Sequence, residues 1–180
     1  LGSQHFSSAE LVFYRSLIGL MVIYGIVRAQ GLSLATPHVA SHVWRGLSGF
    51  FALMLFFYAI SALPLATAIT LNYTSPLFLA LLLTLWLKEK PHWRLIGAIL
   101  VGFVGVVLLL RPNLHTEQII GGVMGLTSGF LAGIAYLNVK QLGALGEPDW
   151  RVVFYFTLIC TLGAGAWMLI HQFHALSWQT

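Results

Sequence analysis

The sequence predicts an all-α integral membrane protein, an inverted-repeat bundle of five plus five helices, of which this chain holds a fragment with about six transmembrane helices. Three observations lead there. Hydrophobic residues make up 58% of the 180 residues and charged residues 8%, with a mean hydropathy of +0.87; ordinary globular chains carry about 25% charged residues. The apolar residues gather into stretches close to the roughly 20 residues that cross a bilayer. A short apolar pattern also recurs far along the chain with the charge bias beside it reversed.

The spans are expected at 9–27, 43–63, 63–87, 93–110, 119–139 and 152–171. Pro64 stands at the entry of the third, where a missing N–H costs nothing. Arg111-Pro112 ends the fourth, and residues 1–7 read as the tail of an earlier helix. Arg28, Arg45, Lys88, Lys90, Arg94, Lys140 and Arg151 fall at span ends on one side, and Arg111 alone on the other. By the positive-inside rule the loops 30–42, 88–94 and 140–151 are cytoplasmic. The loop 112–118 and the tail after His171 then face outside. Trp44, Trp86, Trp93, Trp150, Trp167 and Trp178 lie near span ends, as an interfacial belt requires. The net charge of +4 is spread singly over helix ends with no basic stripe, so no nucleic-acid partner is expected. Cys160 is the single cysteine, which excludes an intramolecular disulfide framework.

Val12-Phe13-Tyr14-Arg15-Ser16-Leu17-Ile18 reads much like Val153-Phe154-Tyr155-Phe156-Thr157-Leu158-Ile159, at an offset of 141. Leu1-Gly2 falls on Leu142-Gly143 at the same offset. Five helices per repeat is an odd number, so the copies lie upside down relative to each other. The loop before Val153 holds Lys140 and Arg151, whereas the stretch before Val12 has neither Lys nor Arg. An inverted-topology repeat has that signature. Residues 1–111 are then a first repeat lacking most of its first helix. Residues 112–180 are the truncated start of a second, with two helices. The intact protein would have about 2 × 141 residues and ten helices.

The stretch from Arg45 to Gly105 carries a set of short motifs in order. They are Arg45-Gly46, Ala59-Ile60-Ser61-Ala62-Leu63-Pro64-Leu65-Ala66-Thr67-Ala68, Ser75-Pro76-Leu77-Phe78, Leu87-Lys88-Glu89-Lys90, and then Gly97 and Gly105. In these the chain resembles the EamA family of the drug/metabolite transporter superfamily, with Lys88 where the family usually has glycine. The resemblance implies a ten-helix carrier of the bacterial inner membrane. It also implies two inverted repeats around a cavity that alternates between the two sides, with small metabolites as substrates.

The candidate site follows from polar groups at membrane depth. Asn72-Tyr73-Thr74-Ser75-Pro76 sits in the middle of the span 63–87, and Pro76 is expected to kink that helix and free the carbonyl of Asn72. Unpaired polar groups there cost several kcal/mol each, in rough terms. Thr67, Thr70 and Thr74 share one face of that span, where their hydroxyls bond back to carbonyls or face the cavity. Asn72, Tyr73, Thr74 and Ser75 are assigned to the cavity, with Tyr58 and Tyr136 as aromatic walls that offer both an apolar face and a hydroxyl. Arg15 is the one charge well inside a span, away from its ends, about 10 Å in from the outer end. It either snorkels to the interface or anchors a substrate carboxylate, or pairs with Glu10 as a gate. Gly121, Gly125, Gly129 and Gly133 recur every four residues and let helices approach closely, as fixed packing or as a sliding seam. Gly97 and Gly105 are assigned to packing.

The seven histidines lie in loops or helix ends beside no cysteine or carboxylate cluster, so no metal is expected and their place is interfacial. No cofactor motif is present. Apart from Glu10 at the very start of the span 9–27, no acidic residue falls within the expected spans, whereas a proton-coupled carrier usually holds a membrane carboxylate. The reading is a secondary transporter, most simply an exporter, for a small polar or zwitterionic, amino-acid-like metabolite. Its partners are that small-molecule substrate and membrane lipid, and a homodimer is compatible. The alternatives are a lipid-modifying membrane enzyme and a non-transporting scaffold.

Overall fold

The computed structural model describes residues 8–86, 93–110 and 116–170. The exit motif at 87–90, Arg111-Pro112, His171, His174 and Trp178 lie outside these residues. Every described element is helical: α1 (Ser8–Ala29), α2 (Val39–Ala62), α3 (Leu65–Asn72), α4 (Ser75–Trp86), α5 (Trp93–Leu110), α6 (Thr116–Ala144) and α7 (Asp149–Ile170). Five segments are long and apolar enough to cross a bilayer, with α3 and α4 counted as one. α5 adds a further apolar helix, with Ile96–Val106 as its apolar stretch among the described residues. The chain is therefore a multi-pass membrane protein. The helices are apolar on most faces, because lipid and bundle interior are both apolar and only a helix hides its backbone polar groups within itself.

Helix ends follow local chemistry. Gly31 and Gly146 stand just after α1 and α6 with φ of 64° and 79°, a backbone that glycine adopts without Cβ strain. Leu32 N–H donates to the Val27 carbonyl at 3.0 Å, and Glu147 N–H to the Leu142 carbonyl at 3.1 Å, which satisfies carbonyls orphaned at each helix end. Leu63 is extended (φ −126°, ψ 157°), as a residue before proline must be, and Pro64 then caps α3.

The span expected as one kinked helix is broken in two. The Tyr73 N–H still reaches the Ile69 carbonyl (2.9 Å), but Thr74 N–H turns to Leu71 (3.1 Å). The Thr74 carbonyl then starts α4 by accepting from Leu77 and Phe78 (2.9 and 3.1 Å). Pro76 falls in the first turn of the new helix, where no N–H is needed. The proline thus ends up as a helix starter instead of a mid-helix kink.

In the bundle, α1 lies along α7, α2 along α6 and α7, and α3 and α4 against α6. Phe13 meets Gly165, Gly19 meets Thr157, and Tyr24 meets Phe154 (ring centroids 6.5 Å apart), so α1 and α7 run antiparallel. Adding 141 to Phe13 and subtracting it from Gly165 yields Phe154 and Tyr24. One contact of this helix pair therefore maps onto another under the sequence offset. The same operation carries Gly19–Thr157 to Cys160–Ser16, which are also neighbours. Val12, Phe50, Cys160 and Ala164 form the buried core where α1, α2 and α7 meet.

The glycines of α6 are the spacers of the bundle. A Cβ at Gly121 would lie 2.8 Å from the Ala62 Cβ, and one at Gly125 3.0 Å from Leu71. At Gly129 it would lie 2.5 Å from Thr74 Oγ1 and 2.9 Å from the Leu71 carbonyl, and at Gly133 3.2 Å from the Ser75 carbonyl. The row runs from the end of α2 across the α3–α4 break. On α5 it is Gly102 that meets α4, at Leu77, whereas Gly97 and Gly105 have nothing within 4 Å among the described residues.

Candidate functional site

The break between α3 and α4 exposes polar groups that the surrounding helices then sort. Asn72 Nδ2 donates to Ser128 Oγ on α6 (3.0 Å), and that hydroxyl donates to the Ala52 carbonyl on α2 (2.9 Å). Ser128 is fully buried, so this relay ties three helices together at the break. Thr74 and Ser75 are buried against α6, and Thr74 Oγ1 donates back to the Leu71 carbonyl (2.6 Å). Thr70 likewise bonds back to Ala66 (2.8 Å). Tyr73 points outward and is 72% exposed.

Beside the relay lies a cavity of about 240 Å³, at the convergence of α1, α2, α3, α6 and α7. Arg15, Arg45, Asn72, Tyr136 and Phe156 line it, with Gly49, Ala52 and Phe56. Of the residues assigned from sequence, it brings together Arg15, Asn72 and Tyr136. Tyr73, Thr74 and Ser75 do not line it. Tyr58 lines a separate, wider cleft of about 580 Å³ with Phe50, Phe51, Met54, Met124 and Trp167, which holds no charged group.

From the sequence Arg45 is expected only as a topological charge at a helix end. In the structure α2 begins at Val39, so Arg45 lies about 9 Å inside it at 1.5 Å per residue. Its guanidinium sits over the Phe156 ring, 4.2 Å from the centroid, a cation–π contact. Its Nε and Nη1 are buried without a hydrogen-bond partner among the described residues. The signal available in the sequence was the helix-forming stretch Val39–His42 before it.

A second polar cluster ties the 30–38 loop to the α6–α7 turn. Glu147 accepts from the Thr36 hydroxyl on one oxygen and from Arg151 Nη1 (2.8 Å) on the other. Arg151 Nη2 donates to the Ser33 carbonyl (2.9 Å), and the Tyr155 hydroxyl donates to the Leu34 carbonyl (3.2 Å). The Thr36 bond and then the Arg151 bond hold the Glu147 carboxyl down at about 2, against the opposing effect of burial. His42, expected at the interface, is fully buried here. It stacks on Tyr155 (4.6 Å) and lies 3.4 Å from the Glu147 carboxylate. Among the described residues no group of three or more His, Cys, Asp or Glu is arranged to hold a metal ion.

An apolar helical bundle, broken in one span and built around a cavity with charged walls, has the architecture of a membrane carrier. The family model of the EamA-like transporter family matches residues 1–111. A pseudopaline exporter of Pseudomonas aeruginosa is 34% identical over 157 residues, covering 87% of this chain and 55% of that protein. An S-adenosylmethionine uptake transporter of Rickettsia prowazekii is 31% identical, covering 86% of this chain and 52% of that protein. An uncharacterized transporter of Helicobacter pylori strain J99 is 32% identical, covering 78% and 48%. No solved structure matches the chain significantly. The chain belongs to the EamA-like transporter family. It spans about half the length of the curated relatives it matches.

Proposed function

We propose that the protein is a secondary carrier that moves a small polar or zwitterionic metabolite across the bacterial inner membrane by alternating access, most simply outward. The observation that carries this reading is the cavity where five helices meet. Asn72, Tyr136, Arg15 and Arg45 supply amide, hydroxyl and cationic groups there. Such groups in a membrane bundle are costly and mark a substrate path by default. The pairing of α1 with α7 supports the inverted repeat, because the 141-residue offset exchanges their contacts as a two-fold axis in the membrane plane would. The relatives' names span export and uptake. Liposomes holding the whole protein, preloaded with unlabelled amino acids, should take up the labelled forms by counterflow. A folded protein that moves none of them would overturn the proposal.

A further inference from the structure

We infer that the cavity takes a net-anionic substrate bearing at least two carboxylates, held between Arg45 on the cytoplasmic side and Arg15 on the outer side. This rests on reading the cavity as the transport site, and it narrows that site's ligand class.

The cavity wall is unbalanced in charge. Two permanent cations, exposed Arg15 and half-buried Arg45, line one small cavity, and among the described residues lining it none is acidic. Arginine does not discharge by losing a proton, so burial cannot neutralise it. Arg45 Nε and Nη1 are shielded from solvent and meet no acceptor among the described residues. The Phe156 ring supports one guanidinium face but accepts no hydrogen bond of ordinary strength. Gly49 leaves the space that the Arg45 Nη1 atom and the Phe156 ring occupy, since a Cβ there would meet both. The pocket is therefore shaped to hold the guanidinium, and among the described residues it offers Nε and Nη1 no oxygen acceptor.

The two cations enter from opposite ends. Arg15 lies about 10 Å from the start of α1, and Arg45 about 9 Å from the start of α2, at 1.5 Å per residue. The two helices are joined by a short loop and begin on opposite sides of the bundle. An anion at mid-depth thus has one arginine above it and one below. A zwitterion with a single carboxylate would satisfy one of them and bring an ammonium towards the other. A compound with two carboxylates satisfies both, through charge-assisted hydrogen bonds. Asn72 and Tyr136 line the same space and supply neutral polar contacts for its remaining groups. The volume of about 240 Å³ is that of about eight waters, which suits a short dicarboxylate.

The test uses the whole protein, purified and reconstituted, with succinate, L-glutamate and succinamide as probes. Succinamide matches succinate in size and carries no carboxylate. Succinate and glutamate are expected to bind and to raise the melting temperature, and succinamide to do neither. Arg45→Gln should weaken succinate binding about tenfold or more. Arg45→Lys should recover part of that loss, with both variants melting like the parent when no ligand is present. Arg15→Gln should weaken succinate similarly, and it carries the test if Arg45→Gln does not reach the membrane. The inference is overturned if succinamide binds as well as succinate, if neither carboxylate binds, or if the arginine variants bind succinate unchanged. Carboxylates that bind but are not moved across liposomes would sink the carrier reading and leave this site standing. Counterflow of glutamine that ignores both arginines would do the reverse.

Discussion

Asn72 Nδ2 donates to Ser128 Oγ at 3.0 Å, and this bond fastens the break in the third span to α6. Ser128 passes the connection to the Ala52 carbonyl of α2, so the break is tied to both α6 and α2 beside the cavity. Replacing Asn72 by leucine removes the link while Ser128 keeps its own acceptor. The expected cost in stability is about 1 kcal/mol. The expected cost in transport is about tenfold, since a 1 Å shift at a positioning group can lose more than that. Counterflow and protein level both at parental values would remove Asn72 from the site.

Gly129 packs where no side chain fits. A Cβ would lie 2.9 Å from the Leu71 carbonyl, which is backbone and cannot turn aside. Gly129→Ala is expected to lower stability by roughly 1–3 kcal/mol. Gly97 has nothing within 4 Å among the described residues, so Gly97→Ala should gain up to about 1 kcal/mol from helix propensity alone. Melting both variants in detergent checks the contrast, and equal effects would show that the row on α6 is not the closer contact.

Glu147 links pH to the fold. Its carboxyl titrates near 2 in the folded chain, below the usual 4.5, because Thr36 and Arg151 bond to the ionised form. A depressed carboxyl stabilises the fold fully above about 4.5 and loses that contribution as pH falls towards 2. The parent should therefore lose melting temperature over that window. Glu147→Gln should melt lower at pH 7 and show a flatter profile between pH 4.5 and 2. A variant with the parent's full acid sensitivity would assign that sensitivity to other groups.

Cys160 is fully buried between α1, α2 and α7, and it is the only cysteine. Maleimide should leave it unlabelled in native membranes and label it after denaturation. In a Cys160→Ala background, single cysteines at Gly31 and Gly146 test the topology. Both stand at the end of the bundle marked cytoplasmic by Arg28, Lys140 and Arg151, so an impermeant reagent should reach them from the inside only. Labelling from outside in whole cells would invert the assignment.

What the sequence determined by itself was the set of membrane spans, their approximate ends and the place where one of them fails. Apolar run length, the proline after Asn72-Tyr73-Thr74-Ser75 and the glycine interval are local properties, and local properties are written in order along the chain. Which face of each helix looks inward was decided only by the tertiary structure. Lipid and bundle core are equally apolar, so a membrane helix carries little contrast between its faces to read. Hence Tyr73 turned outward, Tyr58 went to a different cleft, and Thr74 and Ser75 were buried under α6. His42 and Arg45 show the same limit from the other side. Near a helix end they looked like interfacial and topological groups. Only the arrival of α7, with Tyr155 and Phe156 against them, made one a buried partner of Glu147 and the other a wall of the cavity.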